Sequence, residues 1–515
     1  MSNYPWLTTI GVLPLVGALV IALLPKAAAA SARVIALVVS VVTLALGIAA
    51  ATQFKTGGTG QQFQLTETHT WIKQIGASYA LGVDGISLAL ILMSLVLVPV
   101  SILAAWRDVD GESETRQKSY YALLLVLTTF MVGVFAATDV FLFYVFFEAM
   151  LIPIYFLIGQ FGGPRRQYAA VKFLIYSLAG GLVMLVAVIG LFQVGPGGEH
   201  GFLVSRLTGL DIPLDTQKWL FLGFFIAFAV KAPMVPVHTW LPDAATESKP
   251  AVAVLLVGVL DKIGTYGMIR FCLQLFPEAS KWATPVVITL ALISIIYGAL
   301  VAIGQTDMMR LIAYTSVSHF GFIVLGIFAM TSTAHVGANL YMINHGFTTG
   351  ALFLFAGFLV ARGRSKNIPD YGGWQRVTPV LAGVFLVAGL SGLALPGLNS
   401  FVSEFLVMAG TYPKYKLAAA IAALAVILAA IYILLMYKHL MTGPKPEGEK
   451  YAAIADLDVR EKVVAGVLIV FLVGLGVYPK PALDMLKPAV TQTLQHVGVT
   501  DPAPTNGAAV DGSAK

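Results

Sequence analysis

An all-α polytopic membrane protein of about fourteen transmembrane helices is what the sequence predicts, with two inverted five-helix repeats and discontinuous helices 7 and 12. Hydrophobic residues make up 58% of the 515 and charged residues only 11%, against roughly 25% charged in soluble domains. Apolar runs long enough to span a bilayer, about 20 residues each, recur along almost the whole chain. Two of the long runs are broken by proline in comparable places, at Lys231-Ala232-Pro233 and at Leu395-Pro396-Gly397.

Residues 1–118 hold the first three runs, near 6–25, 32–52 and 83–106. A first five-helix unit occupies 119–274, with runs near 119–138, 140–160, 168–193, 217–236 and 250–274. A second occupies 282–441, with runs near 282–304, 307–330, 333–361, 377–410 and 415–441. The proline-broken run is the fourth member of each set. Five is odd, so two consecutive sets sit in opposite orientations, the pattern of an inverted repeat with discontinuous helices at its centre. Residues 442–478 form a loop and the fourteenth run, 461–478. The tail 479–515 is expected to be partly disordered, given its ending DPAPTNGAAVDGSAK.

Lysine and arginine set the orientation. Loops after odd-numbered runs hold 18 of the 32, the other side 11, and Lys172, Lys231 and Lys262 fall within runs. That bias places the odd loops in the cytoplasm and both termini outside. The run after Trp6 is long, and no positive charge precedes it, so it reads as a retained helix and not a cleaved signal. The net charge of +6 is loop charge that orients the chain, and no nucleic-acid partner is expected. Cys272 is the one cysteine, which excludes an intrachain disulfide and a cysteine-ligated cluster.

The stretch from Lys231 to Lys262 organises the chain. Pro233 and Pro236 have no N–H, so the carbonyls of Ala229 and Ala232 are expected to lose their helical partners beside Lys231. Broken backbone at membrane depth is tolerated only against protein or a wet cavity. The lysine and the freed carbonyls therefore face a polar interior suited to an ion.

Glu148, Lys231, Lys262, His319, His345 and Glu404 all fall within or beside apolar runs. An unpaired charge there costs roughly 2.5–3.5 kcal/mol, so five would cost on the order of 10 kcal/mol, comparable to the whole stability of a domain, about 5–15 kcal/mol. They must be paired, neutralised or hydrated. Glu148, one turn before Pro153, could be a structural ion-pair member, an interfacial carboxylate, or the partner of Lys231. In the last case the carboxylate keeps a buried lysine charged, and its withdrawal lets desolvation favour the neutral amine. Asp261 and Lys262 are sequence neighbours that point in different directions on a helix; Asp261 reads as a structural residue. His319 and His345 have an ordinary pKa of about 6.5, suited to relaying protons, yet either could be a satisfied core histidine. No HExxH, CxxC, calcium-loop or GxxxxGK[ST] pattern occurs, so neither a metal nor a cofactor is expected in this chain.

LGVDGISL at 81–88, FEAMLIPIYFLIGQFGG from Phe147, KAPMVPVHTWLPDA at 231–244, KIGTYG at 262–267, LIAYTSVSHFG at 311–321, NHG at 344–346 and LPGLNSFVSEF at 395–405 together resemble the antiporter-like membrane subunits of respiratory complex I, NADH:quinone oxidoreductase. The resemblance runs from about residue 80 to 440, and the HTWLPDA segment alone also fits multisubunit sodium/proton antiporters, the alternative reading. Within the family the chain looks like the M type. The L type has a lateral helix beyond the fourteenth span that this sequence lacks, and L and N types carry lysine at the position of Glu404. The resemblance implies a multi-pass subunit of the bacterial plasma membrane beside L- and N-type neighbours and lipid. It implies two proton half-channels joined by a buried axis, in which Glu148 modulates Lys231, Lys262 passes the proton inward, His319 and His345 line the middle, and Glu404 is the terminal carrier. NADH, flavin, iron–sulfur clusters and quinone would be bound by partner subunits. Ala245 in place of a histidine, Ser248 in place of alanine, and Met308-Met309 where a lysine is common depart from the pattern near the entry path.

Overall fold

The helix that begins at Gly85 is opened by a reciprocal cap: Asp84 accepts from the Ser87 N–H at 2.9 Å while the Ser87 hydroxyl accepts from the Asp84 N–H at 2.9 Å. Asp139, Asp307, Thr331 and Asp458 start four further membrane helices in the same way, each side chain accepting from backbone N–H groups of the first turn. Such caps satisfy donors that no water reaches inside a bilayer.

The computed structural model describes residues 4–57, 60–448, 451 and 453–502. Helices α1 (Trp6–Leu23), α2 (Ala32–Gln53), α3 (Gly85–Ala104), α4 (Glu114–Ala136), α5 (Val140–Phe161) and α6 (Arg166–Val194) come first. Then follow α7 (Leu214–Lys231), α8 (Trp240–Glu247), α9 (Pro250–Leu273), α10 (Pro277–Ile303), α11 (Met308–Phe328) and α12 (Ser332–Gly363). The last are α13 (Pro379–Gly392), α14 (Asn399–Thr411), α15 (Lys416–Met441), α16 (Val459–Val477) and α17 (Lys480–Val497).

Among the described residues eleven helices are long and apolar enough to cross a membrane, or twelve if the pair α16–α17, bent by 68°, is one span. The expected breaks in the seventh and twelfth runs are present, and the halves they leave are not counted as crossings, so the count stays below the expected fourteen. The seventh run is split into α7 and α8, and the twelfth into α13 and α14, which are 14 and 13 residues long. The fourteenth, α16, begins with three charged residues in its first turn, Arg460, Glu461 and Lys462. At the first break Ala229 keeps a partner after all, because the Met234 N–H reaches its carbonyl at 3.0 Å. That wider loop replaces the bond lost to Pro233.

Burial sorts the helices. Only 33% of the apolar window of α1 and 28% of that covering α2 is buried, whereas those of α9 and α11 are wholly buried and that of α12 is 94% buried. The outer helices meet lipid and the inner three meet protein. Lys262, His319 and His345 lie on the inner three, where a polar side chain escapes the cost of facing lipid.

Two elements depart from the sequence reading. Gln64–Ile72 and Ala77–Val83 form an antiparallel hairpin, β1 and β2, closed at Gly76 with φ +70°. Beyond Pro479, where disorder was expected, α17 forms, because Leu486, Ala489, Val490, Thr493, Leu494 and Val497 recur every three or four residues and bury one stripe. That stripe packs on α3 and α12, so the helix is tertiary structure and not tail. Residues 503–515, the remainder of the expected disordered segment, lie outside the described residues.

Candidate proton-conducting axis

Lys231 closes α7 immediately before the break and is 1% exposed. Its Nζ has no hydrogen-bond partner among the described residues and rests over the rings of Phe147 and Phe173, at 5.0 and 5.4 Å from their centroids. Cation–π contact of this kind is worth about 2 kcal/mol when desolvated, which offsets only part of the burial. Glu148 and Asp261 are the charged groups that act on Lys231. The expected partnership with Glu148 is thus electrostatic and not a contact ion pair. Glu148 lies against Gly181 of α6, where a Cβ would stand 1.6 Å from its Oε1.

Lys262 is fully buried on α9 between two wide π-turn segments, 256–260 and 268–273. A π-turn leaves carbonyls free of ordinary helical bonds, and the Lys262 ammonium uses one, donating to the Val257 carbonyl at 2.6 Å. The same Nζ meets His345 Nδ1 at 2.7 Å and lies 5.2 Å from the Phe320 ring centroid. An ammonium can only donate, so with Lys262 charged the His345 proton is on Nε2, which faces Thr349 Oγ1 at 3.1 Å. Ring contacts carry the arrangement on from His345. His345 and His319 stack edge to face with centroids 5.3 Å apart, and His319 Nε2 meets the Tyr432 hydroxyl at 3.3 Å. The rings of His319 and Tyr341 are 5.8 Å apart, and the Tyr341 hydroxyl donates to Glu404 Oε1. Five of the six expected residues, Glu148 apart, are almost completely buried.

Several residues that bear on this axis escaped the sequence reading. The second break is stitched to α12: Asn344 Nδ2 donates to the Asn399 carbonyl at 2.7 Å, Asn399 Nδ2 donates to the Asn344 carbonyl at 3.1 Å, and the Ser391 hydroxyl donates to Asn399 Oδ1 at 2.5 Å. Near the first break, Asp243 of α8 binds Lys172 of α6 at 2.7 Å and Arg310 of α11 at 2.6 Å. Arg270, counted above as a loop cation, is 1% exposed on α9 and pairs with Asp84. Asp261 is fully buried and does not face solvent. Asn344 opens the quoted NHG motif and Tyr341 lies one turn before it, which was the available signal; Asp243 lay within HTWLPDA.

Residues 137–431 match the family described as NADH:quinone oxidoreductase/Mrp antiporter, TM, and residues 59–134 that described as NADH-ubiquinone oxidoreductase chain 4, amino terminus. The chain belongs to the NADH:quinone oxidoreductase/Mrp antiporter membrane family. NADH-quinone oxidoreductase subunit M of Mycobacterium tuberculosis is 49% identical, with 98% of this chain and 97% of that protein covered. The subunit M of Rhodobacter capsulatus is 39% identical over 95% and 96%. A chain of respiratory complex I from Thermus thermophilus with bound NADH superposes with a TM-score of 0.86 at 30% identity, covering 96% of this chain and all of that one. A chain of the Mrp complex from Dietzia shares the fold, with a TM-score of 0.83 at 21% identity over 96% and 100%. Ala245 is buried and brings no polar side-chain atom, and the Met308 N–H donates to the Lys366 carbonyl at 2.9 Å.

Proposed function

We propose that this chain is the M-type proton-translocating subunit of an NADH:quinone oxidoreductase, a multi-pass protein of the bacterial plasma membrane with both termini on the non-cytoplasmic side. The observation that carries this reading is the buried succession Lys262, His345, His319, Tyr341, Glu404, hydrogen-bonded at its two ends and in ring contact between them. The near-full-length relatives named subunit M favour it over a cation/proton antiporter subunit.

The residues supply the steps. Glu148 and Lys231 load a proton in the 119–274 unit, the ammonium being stabilised while the carboxylate is charged. Lys262 gives its proton to His345 Nδ1 and recovers one from the Lys231 side. The imidazoles pass it through the hydrated middle, and Glu404 releases it through the 282–441 unit. Neighbouring antiporter-like L and N subunits extend the axis in the membrane arm. NADH, flavin, iron–sulfur clusters and quinone belong to partner subunits, and this chain contributes transport and not redox chemistry.

Lys231→Ala tests the assignment, because it removes the cation that Glu148 controls. Proton translocation and coupled NADH-to-quinone turnover fall severalfold at equal complex content, while NADH reduction of an artificial acceptor survives in the same membranes. Loss of both activities in an intact complex would place Lys231 in the redox path, and full coupled pumping would make it a structural lysine.

A further inference from the structure

Asp261 is a carboxylate for which the fold supplies no hydrogen bond among the described residues. It is fully buried, and neither Oδ1 nor Oδ2 has a hydrogen-bond partner among the described residues. A buried carboxylate left so is strongly disfavoured unless it serves an opposite charge. Two such charges act on it, Lys262 and Lys231.

Packing brings the Asp261 face of α9 against the end of α7. Gly264 stands one turn after Asp261 on the same face of α9, and a Cβ at Gly264 would lie 2.5 Å from the Phe228 carbonyl oxygen and 2.6 Å from the Ala232 nitrogen. That face is therefore pressed against the last turn of α7, which ends at Lys231. Between Lys231 and Lys262 no direct hydrogen bond exists: Lys231 Nζ has no partner, and Lys262 Nζ is committed to Val257 and His345. Asp261, sequence neighbour of Lys262 and on the α9 face that meets the end of α7, is the carboxylate placed at this interval.

We infer that Asp261 is a proton carrier between Lys231 and Lys262. This rests on the transport reading above. The Lys231 ammonium loses an N–H proton and an Asp261 O–H bond forms, leaving a neutral amine and a neutral acid. After Lys262 has delivered its proton to His345 Nδ1, the Asp261 O–H breaks and a Lys262 N–H bond forms, which regenerates carboxylate and ammonium. No oxidant or further reactant enters. The carboxylate also equalises the two lysines, since whichever is charged finds the same anion.

The experiment compares Asp261→Asn, Asp261→Glu and Lys231→Ala in the assembled complex in proteoliposomes. Protons moved per NADH oxidised and the peripheral NADH-to-acceptor rate are both recorded. Asparagine keeps size and polarity but cannot carry a proton. Asp261→Asn is expected to lower proton translocation at least fivefold with the peripheral rate unchanged, and Asp261→Glu to retain more than half of it. A structural role would reduce complex content without changing protons moved per NADH in what assembles. Normal pumping by Asp261→Asn while Lys231→Ala is impaired overturns the carrier role alone; normal pumping by both overturns the transport reading beneath it. Should Asp261→Asn fail to assemble, Asp261→Glu decides, because loss of pumping at normal content with a carboxylate still present overturns the proposal.

Discussion

Gly181 makes the space that Glu148 occupies: a single Cβ on α6 would fall 1.6 Å from Glu148 Oε1 and 2.5 Å from its carboxyl carbon. The half-channel carboxylate thus depends on the absence of a side chain one helix away. Gly181→Ala is expected either to swing Glu148 away from Lys231 or to part α5 from α6, overpacking that costs about 1–3 kcal/mol. Coupled turnover should fall severalfold, as in Glu148→Gln, with the peripheral NADH activity intact. Unaltered coupling in Gly181→Ala would show that the position of the carboxylate is immaterial.

Tyr341 donates to Glu404, and that contact ends the chain of buried groups. A hydrogen bond to a charged group is worth about 1.5–3 kcal/mol, so Tyr341→Phe should slow proton release by roughly tenfold or more if the bond is used in the slow step. Glu404→Gln removes the titrating proton and should reduce pumping further. Proton release in response to a single NADH pulse measures both. A Glu404→Gln complex with normal rate and stoichiometry would remove Glu404 from the path.

Glu148, Lys231, Lys262 and Glu404 are legible in the sequence because an ionisable group in an apolar run is costly and must be explained. The two breaks are legible because proline cannot donate. Partners are not. Asp243 and Arg310 are 67 residues apart, and Tyr341 and Glu404 are 63 apart, so only folding reveals that they meet. The β1–β2 hairpin alternates Leu65, Glu67 and His69 with three threonines, a period-2 signal that a search for long apolar runs passes over. Stripe spacing in α17 is likewise readable, but its polar half and the low-hydrophobicity residues after it resemble a disordered tail. Asp261 reads as structural in the sequence, since its neighbour Lys262 points another way and no partner is visible; the α9 face it shares with Gly264, packed on α7, is a tertiary fact.

From the loop charges both termini are expected outside the cytoplasm. A reporter that is active only in the cytoplasm should be silent when fused after Lys515 and active when placed in the 442–458 loop. Cytoplasmic activity at the C-terminus would reverse the orientation and with it the direction assigned to the axis.

Asp243 fastens α8, the second half of the broken helix, to both halves of the chain at once. Lys172 lies in the 119–274 stretch and Arg310 in the 282–441 stretch, and each binds a different oxygen of the one carboxylate, at 2.7 and 2.6 Å. Asp243 is almost buried, whereas the side chains of Lys172 and Arg310 are 21% and 28% exposed. Breaking a fully buried pair costs about 3–5 kcal/mol and an exposed one less than about 1 kcal/mol, so this bridge falls between, at roughly 2 kcal/mol. Asp243→Asn should therefore lower the thermal-inactivation temperature of the assembled complex and loosen α8. Arg310→Gln should cost less, because Lys172 still meets the carboxylate. The double variant should cost less than the sum of the two, since residues sharing one partner are not additive. Strict additivity in that cycle would show that Asp243 does not join the two stretches, and the hold on α8 would then have to come from Trp240, whose indole N–H donates to the Val230 carbonyl at 2.9 Å.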